Sequence, residues 1–193
     1  MNTPSHVAAS LLLGRRDERW PNVVALAFGA MLPDLPMFGF YGYQKWNQRS
    51  ENDIWGTLYF EEHWQLFFDW FNSIPLSILL MIICWRLGFR WGLLLSASAL
   101  LHMVCDLPVH HDDGHRHFLP FSNFRFESPV SYWDPKHFGW IFAPLELIFA
   151  ITTCGWTIAK SKSRSLKVAA ATTLACLAMG ITLAITVWTL STS

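Results

Sequence analysis

The chain has 193 residues, 52% hydrophobic and 16% aromatic, and its 14 basic side chains are balanced by 14 acids. Zero formal charge argues against nucleic-acid binding through bulk electrostatics, and the apolar content exceeds that of an ordinary soluble domain. Four cysteines, Cys84, Cys105, Cys154 and Cys176, stand singly in apolar segments without a CxxC pair, so neither a thiolate zinc site nor a disulfide framework is suggested.

Thr3-Pro4 reads as a helix start, with Thr3 as the N-cap and Pro4 at the first helical position, which puts His6 in the first turn. Basic residues follow this first apolar stretch instead of preceding it, so a cleaved signal peptide is not expected. Arg15, Arg16 and Arg19 make a turn, and a second apolar helix from about Pro21 runs back until Leu32-Pro33-Asp34-Leu35-Pro36 stops it. Both helices are about 11 to 13 residues, or about 16 to 20 Å at 1.5 Å per residue, so an antiparallel hairpin returns Asp34 to the level of His6. Taken alone, Asp34 is a turn residue and His6 a capping or core histidine. Their shared height is what makes them candidate ligands.

Residues 41–62 read as a polar excursion. His63, Phe67, Trp70 and Phe71 then follow helical spacing and lead into an apolar segment at Ile74. Apolar residues gather over 23–42, 74–87, 91–104, 138–159 and 166–190. The last two reach the roughly 20 residues needed to span a bilayer. The middle two are shorter, with Arg86 and Arg90 between them, and are either buried core helices or spans extended by snorkelling arginines. The expected fold is an all-α integral membrane bundle of about five to six helices, a single domain over 1–193.

Residues 101–126 carry five of the eight histidines and three aspartates. His102 and Asp106 stand i, i+4 at the end of a helix and share a face. Pro108 ends that helix, and His110, His111, Asp112, Asp113, His115 and His117 follow in a loop turned at Gly114. A solvated polar loop explains one or two of these histidines but not the cluster. Imidazole with carboxylate points to a divalent metal, zinc first and manganese or iron next, with one or two ions bound. First-choice ligands are His6, Asp34, His102 and Asp106, followed by His63 and His110. Asp112, Asp113 or His115 is placed to act as general base, and Arg125 to hold a phosphate. HExxH, GxSxG and P-loop motifs are absent.

Asp134 and His137 precede the fourth apolar segment, in which Glu146 is the one acid. It is either functional or the partner of Arg86 or Arg90. Lys160, Lys162, Arg164 and Lys167 make a third basic turn. If that turn is cytoplasmic, alternation along the spans puts the Arg15–Arg19 and Arg86/Arg90 turns on the same side. Every histidine, together with Asp34 and Asp106, then lies on the other side.

An early helix-start histidine (His6), a G-x-x-x-P-D turn (GAMLPD, with Asp34), and HxxxD (His102, Asp106) followed by Gly114 and PFSNFRF at 120–126 together resemble the bacterial membrane-bound metal-dependent hydrolase family, which includes LexA-regulated inner-membrane proteins. The resemblance implies a multi-pass protein of the bacterial inner membrane, with an outward-facing site that hydrolyses an ester or phosphoester of a small-molecule or lipid substrate. The family's central His-Ser step appears here as Asn72-Ser73, so that ligand is lost, replaced by the Asn72 amide oxygen, or supplied by His63. A weaker likeness, in ligand style only, is to zinc-dependent phospholipase C. The alternative function is a membrane metal-binding or ion-handling protein, with Glu146 on an ion path.

Overall fold

The structure, a computed structural model, describes residues 1–15 and 18–192, with side chains for all of these except 184, 185 and 187–192. Arg16 of the first basic turn lies outside the described residues. Nine α-helices and no strands occur among the described residues: α1 (Thr3–Leu11), α2 (Trp20–Met31), α3 (Leu35–Trp46), α4 (Glu51–Gly56), α5 (Glu62–Phe71), α6 (Ile74–Arg86), α7 (Arg90–Asp106), α8 (Gly139–Lys160) and α9 (Arg164–Thr192). Proline stands in the first turn of α1, α2, α3 and α6, where its missing N–H has no intrahelical partner to lose. The cap of α1 falls one residue earlier than expected: Asn2 accepts the Ser5 N–H at 3.0 Å. The Thr3 hydroxyl is thereby released and donates to Asp34 instead.

α5 and α6 join into one stretch, Glu62–Arg86, which with Gly139–Lys160 and Arg164–Leu183 makes three helices long and apolar enough to cross a membrane. The pair α2 and α3, bent by 62° at the Pro33-Asp34 break, makes a fourth if read as one broken span. The segment over 74–87 therefore gains its length from the aromatic helix before it. α7 takes the other course considered for the middle segments, that of a buried core helix. It packs against α1, α2 and α6 and buries Leu94, Leu95, Ser96, Ser98, Ala99, His102 and Met103.

Small residues let α2 and α7 approach closely. A Cβ on Gly29 would lie 2.2 Å from the Leu95 carbonyl oxygen, and the Ser98 hydroxyl donates to the Leu26 carbonyl at 2.6 Å. Contacts of this kind hold membrane helices together, because lipid removes the usual hydrophobic driving force between them. Ala8, Leu11, Val23, Leu26, Leu94 and Ala150 complete the main core.

At the far end of the bundle, Glu18 is held by the Arg90 guanidinium and by Asn22 Nδ2, the latter at 2.7 Å. The Ser163 hydroxyl donates to the Glu18 carbonyl. Arg86 lies over the Trp85 ring. Neither arginine meets Glu146, which accepts the Asn2 N–H at 2.8 Å and so ties the start of α1 to α8.

The near end is larger than a polar excursion. Residues 41–62 continue α3 and form α4 and a 3-10 turn, and Phe40, Ile54, Tyr59 and Phe68 bury a second core between them. Their acids face outward: Glu51 accepts from Tyr41, Lys45 and Trp55. The loop between α7 and α8 is sewn onto the α5–α6 junction by Ile74 N–H to the His117 carbonyl at 2.9 Å and by the Ser73 hydroxyl to the Leu119 carbonyl at 2.6 Å.

Candidate metal centre

Three helix ends bring the site together. α1 enters with His6 in its first turn, α2 leaves at the Asp34 break, and α7 finishes with His102 and Asp106 one turn apart. His6 and His102 are each 1% exposed and Asp106 4%, so the donor groups are withdrawn from water before any ligand arrives. His6 Nε2 lies 2.9 Å from Asp106 Oδ1, and His102 Nε2 lies 3.0 Å from Asp106 Oδ2. Among the described residues, these three offer ligand atoms all within 4.8 Å of one another.

Two further observations bear on whether this donor set suits a metal. His102 Nδ1 is 2.6 Å from the Ala30 carbonyl, one of the last carbonyls of α2 that have no intrahelical partner. An Nδ1–H donated there leaves the Nε2 lone pair facing the cluster, the arrangement usual for a ligating histidine. In addition, His6 Nδ1, His6 Nε2 and His102 Nε2 are buried with no hydrogen-bond partner. The imidazole nitrogens approach Asp106 without hydrogen-bond alignment. Buried polar atoms left in this state are costly unless a ligand satisfies them.

Asp34 and His110 flank the triad. Asp34 Oδ1 lies 3.5 Å from His102 Nε2. His110 stands between two carboxylates, Nε2 at 3.3 Å from Asp106 and Nδ1 at 3.1 Å from Asp113, the Nδ1 without hydrogen-bond alignment. Burial opposes charge on His110, but the Asp106 and Asp113 carboxylates beside it outweigh this and raise its pKa to about 9. Asp113 responds in the opposite direction: burial pushes it up, and His110 beside it brings it below the usual carboxylate range. The Met1 amine also donates to Asp106.

The other residues expected at the site lie elsewhere. His63 sits on an outward face of α5, with its side chain 68% exposed and 3.6 Å from Glu61. His115 Nδ1 pairs with Asp69 at 3.2 Å. Arg125 donates to Gln65 at 3.0 Å and lies 3.7 Å from Asp69, so its guanidinium is engaged by α5. Asp112 is exposed beside Asp113. At the Asn72-Ser73 step, Asn72 Nδ2 donates to the Pro33 carbonyl at 3.2 Å while Oδ1 is buried without a partner. The orphaned amide oxygen thus lies next to the turn that carries Asp34.

Asp69 is the group the sequence reading did not single out. Fully buried on α5, it accepts the Arg116 backbone N–H at 3.0 Å and the Arg116 guanidinium, and it anchors the histidine-rich loop. An acid among the aromatic residues of α5 gives no spacing that points to an arginine so far along the chain. The one available signal was the cost of placing any acid there.

The profile of the YdjM inner membrane protein family matches residues 1–189. No curated protein and no solved structure matches the chain. With a match over nearly its whole length, and an all-helical bundle that carries membrane-length helices and a buried His/Asp cluster, the chain belongs to the YdjM inner membrane protein family.

Proposed function

We propose that the protein is a metal-dependent hydrolase of an ester or phosphoester substrate, working at the outer face of the inner membrane. The observation that carries this reading is the buried triad of His6, His102 and Asp106, whose imidazole nitrogens lack hydrogen-bond partners. These residues, with Asp34 beside them, would hold the ion, with zinc the first expectation for two imidazoles and a carboxylate. An ion held there supplies a Lewis acid and brings the pKa of a water down to about 7. The chain's own part is to hold the donors in register. The Ala30 carbonyl orients His102, Thr3 orients Asp34, and Glu146 secures the end of α1 that carries His6. His110, gripped between Asp106 and Asp113, is placed to pass a proton between the cluster and the loop.

The basic turns support the orientation: Arg90, Lys160 and Arg164 lie at the bundle end opposite the cluster, which by the positive-inside tendency is cytoplasmic. The ion-handling alternative draws less support, because Glu146 is occupied by a backbone N–H.

Elemental analysis of the detergent-purified protein tests this reading, alongside hydrolysis of chromogenic carboxylate and phosphate esters. One or two equivalents of metal are expected, lost with activity in Asp106→Ala. A full-length, folded protein with no bound metal after reconstitution would end the proposal.

A further inference from the structure

Two cavities meet at one tyrosine. The first, about 590 Å³, is walled by Trp55, Tyr59, Phe60 and Trp133, with Asp112 and Asp113 as its charged residues. The second, about 400 Å³, lies between the end of α7 and α8, where Phe142, Leu145 and Phe149 give it an apolar wall and Glu146 is its one acid. Tyr132 lines both. Its ring centroid is 5.1 Å from that of His110, which in turn reaches Asp106. Both volumes fall in the range of about 300 to 1,000 Å³ that accommodates small ligands.

The walls differ in chemistry. Five aromatic side chains, Tyr132 included, and two carboxylates, with no basic residue among them, suit a cation: ring faces attract positive charge, and an ammonium over them is stabilised further when a carboxylate is near. Asp113 is shared with His110 and the Trp133 indole N–H, which leaves Asp112 as the freer carboxylate for a cation. In the second cavity, Phe142, Leu145 and Phe149 recur at helical spacing on one face of α8. Leu145 and Phe149 are 53% and 39% exposed on a helix long and apolar enough to cross a membrane. What lies against that face in a bilayer is hydrocarbon. From Phe142 to Phe149 the groove follows α8 for about 10 Å at 1.5 Å per residue, a course suited to the first part of an acyl chain.

We infer that the site receives a lipid whose headgroup carries an ammonium, with the headgroup in the aromatic and acidic cavity and an acyl chain along α8. The polar linkage between them then passes Tyr132 beside the His/Asp cluster. That last placement rests on the hydrolase reading, whereas lipid binding itself does not depend on a metal.

The test is equilibrium binding to the full chain in detergent with a chelator present, monitored by tryptophan fluorescence and by native mass spectrometry. Phosphatidylethanolamine, phosphatidylcholine and phosphatidylglycerol of identical acyl composition are compared. The two ammonium lipids should bind at least about tenfold tighter than the glycerol lipid, and the order between them tells whether a primary or a quaternary ammonium is preferred. Asp112→Asn combined with Trp133→Leu, both at exposed positions, should bring all three within about twofold. Leu145→Trp, which fills the groove, should weaken all three alike. Equal binding of the three lipids by the unaltered protein would overturn the inference, as would a preference that survives the headgroup-cavity variants. Metal analysis of the same preparation before the chelator is added reports separately on the hydrolase reading, since a metal-free cluster leaves the lipid preference to stand or fall by itself.

Discussion

The rings of His6 and His102 stack with centroids 3.6 Å apart and planes 16° from parallel, and both face the Asp106 carboxylate. Two imidazoles held this way act as one unit. His6→Ala and His102→Ala are each expected to weaken metal binding by more than about 100-fold, beyond the 10- to 100-fold typical of outer-shell partners. The double variant should lose little more than the worse single one, because contacting residues are not additive. Competition against a chromophoric chelator measures all three. Additive losses would mean that the two rings serve separate ions.

The approach of α2 to α7 sets the second prediction. Gly29→Ala places a methyl group against the Leu95 backbone, which cannot yield as a flexible side chain would. Overpacking of this kind costs about 1 to 3 kcal/mol. It should also move the Ala30 carbonyl away from His102 and reduce metal affinity by about tenfold or more. Gly155→Ala on α8 is the control, since beyond its own helix backbone nothing lies within 4 Å of its added Cβ. Thermal unfolding in detergent and metal titration read the two effects separately.

His117 provides a pH dependence. Burial lowers its pKa to about 4 despite the Asn72 carbonyl 2.9 Å from Nδ1. Between about 4 and the ordinary 6.5, the unfolded chain takes up a proton that the folded chain refuses. Stability held by the neutral ring is therefore complete above about pH 6.5 and is lost as the pH falls toward 4, by up to about 3 kcal/mol. Other carboxylates titrate in the same window, so the informative quantity is the difference between the wild type and His117→Gln. That difference should shrink as the pH falls. A constant difference from pH 7 to 4.5 would mean that the ring titrates normally.

Orientation can be read directly. Ser122 is exposed in the loop on the cluster side of the bundle. With that side outward, Ser122→Cys should react with a membrane-impermeant maleimide in intact cells. Reaction only after lysis would reverse the topology.

Much of the site's geometry could be read from spacing and helix length. Prolines that stop or start helices mark the hairpin carrying His6 and Asp34, and a four-residue interval puts His102 over Asp106. Both are local signals that survive folding because each depends on the geometry of a single helix. Other features depend on which elements meet. His63 has helical spacing, but its face turns outward because Phe68 and Gln65 take the buried side of α5. Glu146 had two arginines as apparent partners, yet the basic end of the bundle is the wrong end for it. The loop's anchor at Asp69 depends on a fold-back that no local pattern encodes.

The hydrogen bond from His102 to Ala30 assigns that histidine two duties. Carbonyls at a helix end cannot face hydrocarbon unsatisfied, so α2 can terminate within the bundle only where a donor meets it. Replacing His102 by alanine therefore strands a carbonyl as well as removing a ligand, and a loss of fold could pass for a loss of metal. His102→Asn separates the two duties: its amide N–H₂ stands near the Nδ1 position and can still reach Ala30, while nothing replaces Nε2. A protein that folds and melts like the wild type but holds no ion would place the division between architecture and chemistry inside a single imidazole ring.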